Sequence, residues 1–223
     1  CMNYYFSLIF KTISFLLILL LLLSVGSHLF HPKDNRMESG MEELAANGIL
    51  GEKKDSIDVL FLGDSEAVSS ISPMELWHEY GFTSYVCATS GQSLYTTYRF
   101  LVRAFQNQSP SVVVLETDAL FQGISFQSCL LSEASIYLPI FQYHDRWKSL
   151  TLKDFTASIT YTWTDDWKGY NSSTDIKAAD AAGYMIPSDH IQEIEPLTTL
   201  YLRRIKKFCQ SRSVSFLLVS TPS

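Results

Sequence analysis

The sequence predicts an α/β domain, a parallel sheet with helices on both faces, tethered by an N-terminal transmembrane helix. Three observations carry that reading. Short, β-branched apolar runs alternate with segments of helical spacing. A stretch of 19 residues from Thr12 to Phe30 contains no Asp, Glu, Lys or Arg. Of the 223 residues, 47% are apolar and only 18% charged, which excludes a disordered tail, a collagen-like chain and a disulfide-dense mini-protein.

The first element is the run around Phe15-Leu16-Leu17-Ile18-Leu19-Leu20. Nineteen helical residues span about 28 Å, close to the hydrocarbon thickness of a bilayer. The alternative is a signal peptide cleaved near Ser24-Val25-Gly26-Ser27. Residues 1–31 are read as a cytoplasmic stub and anchor, with the rest of the chain outside the cytoplasm. Lys11 precedes the run while Lys33 and Arg36 follow it, so the positive-inside rule adds little to that orientation. The 17 Lys+Arg are outnumbered by 23 Asp+Glu, all of them after residue 31. An acidic ectodomain is a poor partner for nucleic acid, which needs a basic face.

Residues 32–55, polar and glycine-containing, read as a juxtamembrane spacer with a short helix at Met41 to Ala46. The α/β domain then occupies residues 56–223. Ile57 to Leu62 is a buried strand. Pro73 opens a helix that Gly81 closes. Thr83 to Ala88 is a second strand, and Leu94 to Phe105 a helix by its apolar spacing. Ser111 to Leu115 is a third strand. Residues 121–190 break the rhythm and are expected to form an aromatic-rich insertion over one end of the sheet. Ile191, Ile194, Leu197, Tyr201, Ile205 and Phe208 mark one face of a long helix, and Val214 to Val219 is a fourth strand. Cys87 and Cys209 sit in apolar stretches as small hydrophobes. No cysteine lies at ligand spacing from another or from a histidine, so no metal is expected. No nucleotide loop is present either, and no cofactor is expected.

In parallel sheets the chemistry collects at the carboxyl ends of the strands. That rule singles out Gly63 to Ser70, Thr89 to Ser93, Glu116 to Leu120 and Ser220 to Ser223. Gly63-Asp64-Ser65 follows the first strand directly, which puts a serine hydroxyl on a tight turn among backbone N–H groups able to face an oxyanion. The structural alternative is an Asx-type turn in which Asp64 and Ser65 only cap the next segment.

With Phe61-Leu62-Gly63-Asp64-Ser65 and Ser90-Gly91-Gln92-Ser93, and Val112 to Thr117 as a third block, the sequence resembles the SGNH (GDSL-like) hydrolase superfamily. Within it, the chain resembles the membrane-anchored branch that looks like DltD and the alginate O-acetylation proteins. The resemblance covers about residues 55–120 and 191–223. It implies a flavodoxin-like three-layer fold, with Ser65 as nucleophile, Asp64 supporting its turn, and the backbone N–H groups of Ser65 and Gly91 in the oxyanion hole. The third block normally supplies an Asn; here Glu116-Thr117-Asp118 stands in its place, leaving Thr117 as the candidate donor. The family's Asp-x-x-His would lie beyond Ser223, so a truncated C-terminus is expected. Cys1 before Met2 likewise suggests a start upstream of the natural one. His78, His144 and His190 are the candidate bases within the sequence.

Tyr143-His144-Asp145-Arg146-Trp147 is the second cluster. His144, Arg146 and Trp147 have the chemistry of a sugar-binding cleft, aromatic faces beside an anion-holding Arg; the alternative is a surface turn with paired charges. Lys168-Gly169-Tyr170 is placed on the same surface. The resemblance implies an esterase or O-acyltransferase acting on cell-envelope polysaccharide or its acyl donor, with a membrane-bound O-acyltransferase as a candidate partner. Two other classes remain open: a non-catalytic envelope-binding or scaffold protein, and an anchored carbohydrate-binding domain.

Overall fold

The computed structural model describes residues 2–172 and 191–221. In chain order the helices and strands are α1 (Met2–Phe30), α2 (Leu44–Asn47), β1 (Val59–Gly63), α3 (Ser65–Ser70), α4 (Pro73–Tyr80), β2 (Ser84–Ala88), α5 (Leu94–Ala104), β3 (Val112–Glu116), α6 (Phe126–Tyr137), α7 (Ile140–Tyr143), α8 (Pro196–Gln210) and β4 (Ser215–Val219). They fall into two compact units. One comprises residues 1–42 and 127–161; the other comprises residues 43–126 and 162–223.

The second unit is the α/β domain. Its four strands are parallel in the order β2-β1-β3-β4. Side chains alternate across the pleat. Phe61, Val86 and Ala88 pack with Ala67, Val68 and Ile71 of the α3 segment and Leu76 of α4. On the opposite face Leu60, Leu62, Tyr85 and Cys87 are fully buried, where α2 and α5 cover the sheet. That makes three layers. α8 lies along α5, with Phe208 edge-on to Phe105 at 5.1 Å between ring centroids. β4, at the sheet edge, has Leu217 and Leu218 half exposed.

Local chemistry explains the boundaries. Pro73 occupies the first turn of α4, where its missing N–H costs nothing, and Ser72 caps it from the side chain. The long helix begins at Pro196 rather than at Ile191, again with proline in the first turn. Ile191, 87% exposed, lies outside its periodic face.

Three expectations change. Residues 43–55 are not a bare spacer: Ala46, Ile49 and Leu50 are buried, and Tyr85 Oη donates to the Ala45 carbonyl at 2.6 Å. The insertion is not one body over the sheet, because residues 127–161 pack with the N-terminal segment as the first unit. Its later part joins the α/β domain, where Val86 N donates to the Lys168 carbonyl at 2.8 Å. An edge strand has N–H groups to satisfy, and this segment satisfies one of them for β2. Consequently Lys168-Gly169-Tyr170 and Tyr143 to Trp147 belong to different units.

In the first unit, α1 contains a 27-residue stretch, Tyr4–Phe30, long and apolar enough to cross a membrane. Its C-terminal end is met by Arg146, whose Nη1 donates to the Phe30 carbonyl at 2.7 Å, and whose Nη2 pairs with Asp154 at 2.7 Å. The guanidinium thus satisfies an orphan helix carbonyl and complements the negative end of the helix dipole.

Candidate active site at the carboxyl edge of the sheet

The register aligns three loops. Gly63 pairs with Ala88 on one side, and Leu62 pairs with Leu115 on the other. The chain leaves β1, β2 and β3 at one level on strands about 4.8 Å apart. Ser65 leaves the middle of these three strands, between the Thr89–Gln92 loop and the Thr117–Leu120 turn. This is where the strand order reverses direction, the place open α/β sheets use for ligands.

Ser65 is the first residue of α3 and partly exposed. Its turn is held from below. Asp64 is 1% exposed; its Oδ1 accepts from Glu66 N at 3.0 Å and its Oδ2 from Gln122 Nε2 at 2.6 Å. A cap of that kind contributes about 0.5–2 kcal/mol. Gly63 is required by close approach, since a Cβ there would stand 2.6 Å from Ala67 Cβ and 2.8 Å from Glu116 Cβ. The hydroxyl of Ser65 makes no hydrogen bond to any described residue.

The second loop is tied down by Gln92, which is buried. Thr89 Oγ1 donates to its Oε1 at 3.0 Å, and its Nε2 donates to Thr97 Oγ1 at 3.0 Å and to the Cys87 carbonyl at 3.4 Å. Gly91 sits at φ +63°, in the left-handed region, with open space where a Cβ would be. Only its backbone conformation demands glycine.

The third loop holds an unusual carboxylate. Glu116 is 1% exposed; Oε1 accepts from Asp118 N at 2.9 Å, while Oε2 has no partner among the described residues. Burial pushes its pKa above the ordinary glutamate value. The Asp118 amide opposes that rise, and the charges of Asp118 and Asp64 add to it. Thr117 and Asp118 are partly exposed beside it. The sequence reading places Glu116 in the loop after the third strand; it is the last residue of β3, and neither spacing nor motif marks it as buried.

No histidine among the described residues bonds to Ser65. His78 lies on α4, exposed, with Nδ1 3.2 Å from Glu79 Oε1. His144 is exposed in the first unit, and His190 lies outside the described residues. Cys87, close to the second loop, is no rival nucleophile: burial drives its thiol pKa far upward, so the thiolate is inaccessible. Of the second cluster, Trp147 is 64% exposed, whereas Arg146 is 8% exposed and committed to Phe30 and Asp154.

A cavity of about 560 Å³ opens beside Ser90 and Ala88. Val68, three residues on from Ser65 in α3, contributes to its wall, as do Trp167, Tyr170, Asn171 and Asp165. Sequence reasoning singles out the loops of Val68, Thr89 and Ser90 and the Gly169-Tyr170 pair, but not Asp165, Trp167 or Asn171 as part of the wall, because residues 165–171 carry no regular pattern. Among the described residues no basic side chain lines the cavity. The described residues bring one set of metal-type donors together, Glu75, His78 and Glu79, within 4.8 Å of one another. All three are exposed on α4 at spacings any helix provides.

Neither a protein-family model nor a curated protein matches the chain. Among solved structures, a "putative acylhydrolase" from Bacteroides fragilis NCTC 9343 overlays with a TM-score of 0.31 at 14% identity, over 79% of this chain and 75% of that one. A likeness of that size bears on neither the fold nor the activity, which rest on the strands and loops above.

Proposed function

We propose that the chain is a membrane-anchored, extracytoplasmic serine acyl-ester enzyme of SGNH type, acting on acyl esters of a cell-envelope polysaccharide. One observation carries the reading: Ser65, with its hydroxyl unpartnered by any described residue, leaves the middle strand of three whose loops start at one level. The hydroxyl attacks an ester carbonyl and its proton passes to a base. Backbone N–H groups of Ser65 and Gly91, with Thr117, hold the oxyanion. Collapse releases the alcohol and leaves an acyl-serine, which water or a sugar hydroxyl then attacks, restoring Ser65. The base is an imidazole from outside the described residues.

The cavity supports a saccharide at the acceptor side. Trp167 and Tyr170 offer aromatic faces, and Thr89, Ser90 and Asn171 offer hydrogen bonds, the mixture that polyols bind. The acyl group arrives from a donor in or across the membrane, for which a membrane-bound O-acyltransferase is the fitting partner. A second reading, a non-catalytic envelope-binding protein on the same fold, draws on the acidic Asp118 in the third loop and on the lack of an imidazole bonded to Ser65 among the described residues. Hydrolysis of p-nitrophenyl acetate by the detergent-solubilised full chain separates the two. Ser65→Ala is expected to lower the rate at least about 10³-fold; equal rates for the two proteins would remove Ser65 from the chemistry.

A further inference from the structure

Helix α6 is built inside out for a helix in water. Its buried residues are Cys129, Ser132 and Ser135, while Leu130, Leu131 and Tyr137 are 61%, 53% and 81% exposed. A water-facing helix buries its leucines and exposes its serines. The same inversion continues along the first unit, where Trp147, Leu152 and Phe155 are 64%, 87% and 60% exposed. Isolated exposed apolar residues are ordinary, but a succession of large ones over residues 130–155 requires a partner.

The first unit also says what that partner is. Segments of this region pack onto the last turns of α1. Ile140 of α7 lies against Gly26, and its N–H donates to Ser27 Oγ at 3.4 Å. The Leu152–Phe155 turn also packs against α1, and its Asp154 pairs with the Arg146 that caps Phe30. Twenty-seven helical residues are about 40 Å long, which exceeds the roughly 30 Å hydrocarbon core. With Lys11 at the near boundary, the run from Thr12 to Phe30 already fills that core, so the last turn of a spanning α1 reaches headgroup level, and what packs on it stands there too. Exposed Trp and Tyr are the side chains that favour this depth.

We infer that residues 127–161 form an interfacial collar, seated in the lipid headgroup region around the end of α1, with lipid covering the exposed leucines and aromatics. The collar rests on the membrane part of the proposed function and is independent of Ser65. It would hold the first unit against the bilayer surface rather than leave it on a free tether.

The test uses the full chain in lipid nanodiscs. In a Cys1→Ser background, a fluorophore is attached at Leu17→Cys, Leu131→Cys, Leu152→Cys, Phe155→Cys or Tyr80→Cys; the described native thiols Cys87, Cys129 and Cys209 are buried. Labels at 131, 152 and 155 are expected to lose most of their emission to a headgroup-level nitroxide lipid and to resist aqueous iodide. The label at 80, on α4, is expected to behave in the opposite way. Iodide quenching at 152 and 155 as complete as at 80 would overturn the collar, and so would protection from both quenchers, which means a protein covers the surface. The label at 17 reports on the anchor itself. If an acyl-chain nitroxide quenches it while 131, 152 and 155 stay in water, the collar alone falls; if the label at 17 is not quenched, the anchor falls as well.

Discussion

The two units differ in where their large apolar side chains lie. The α/β unit encloses Leu60, Leu62, Leu101, Val113, Leu115 and Ile205, the interior of an ordinary water-soluble domain. The unit containing α1 buries Ser27, Asn35, Ser132, Ser135, Arg146 and Asp154 beside Met41, Cys129 and Tyr143, and exposes Leu130, Leu131, Trp147, Leu152 and Phe155. The same hydrophobic residues therefore carry different information in the two places. In the first case they mark the side facing the protein; in the second they mark the side facing away from it. Polar groups likewise stabilise the second kind of interior only because each has a partner, such as the Arg146–Asp154 pair.

The comparison can be pressed hardest at that pair. Arg146→Ala leaves Asp154 buried and unpaired and exposes the Phe30 carbonyl, so a loss of about 3–5 kcal/mol is expected. Local unfolding of residues 127–161 in the full chain, followed by amide hydrogen exchange, measures it. A variant as protected as the parent would mean that the pair is incidental.

In the α/β unit the corresponding lever is apolar. Leu101→Ala in α5 is expected to cost about 2–5 kcal/mol in denaturant unfolding, through lost transfer energy and a cavity. Gly63→Ala comes next: its Cβ must displace Ala67 or Glu116, an overpacking cost of about 1–3 kcal/mol. Ester hydrolysis should fall with it, because Ala67 follows Ser65 in α3 and Glu116 ends the neighbouring β3.

The two interiors also answer pH with opposite signs. Burial alone would raise the pKa of Asp154, but hydrogen bonds from Thr151 and Arg146 outweigh it and hold the carboxyl below its ordinary value. Its contribution to stability is full above the usual aspartate pKa and is lost as pH falls through the lowered one. The pKa of Glu116 is raised chiefly by burial. Folding there is favoured below the usual glutamate pKa, and the advantage disappears as pH rises through the raised value. Melting curves across pH should therefore show Glu116→Gln gaining on the parent protein as pH increases. Asp154→Asn should lose least relative to the parent at acid pH. Curves of identical shape for parent and variants would contradict both assignments.

The smallest effect is the most diagnostic of the inversion. Leu131→Ser on α6 should change the stability of the detergent-solubilised protein by no more than about 0.5 kcal/mol, as for an exposed site. The same change at Leu101 should be severe.

All four strands were legible in the sequence to within two residues, because short apolar runs between turn residues have few other solutions. Pro73 and Gly81 marked both ends of α4 through fixed backbone chemistry. The start of α8 was misplaced, since Ile191 and Ile194 continue the apolar spacing while Pro196 holds the actual first turn. What spacing could not convey was the partner of each apolar face. Hence residues 43–55 looked like a spacer although Ile49 and Leu50 are buried, and α6 looked like part of a cover for the sheet. At the site, Gly63 to Ser65 and Ser90-Gly91 were legible because turn chemistry and strand ends are local. Glu116, Gln122 and the cavity wall around Trp167 depend on contacts far apart in sequence, which no local pattern records.

The proposed ester chemistry depends on Ser65. The most direct measurement is covalent labelling of the full-length, membrane-inserted protein with a fluorophosphonate, with the modified peptide located by mass spectrometry. The account predicts a single adduct on Ser65, abolished by Ser65→Ala and retained by Arg146→Lys in the other unit. Labelling that persists in Ser65→Ala, or a parent protein that takes up no label, would contradict it.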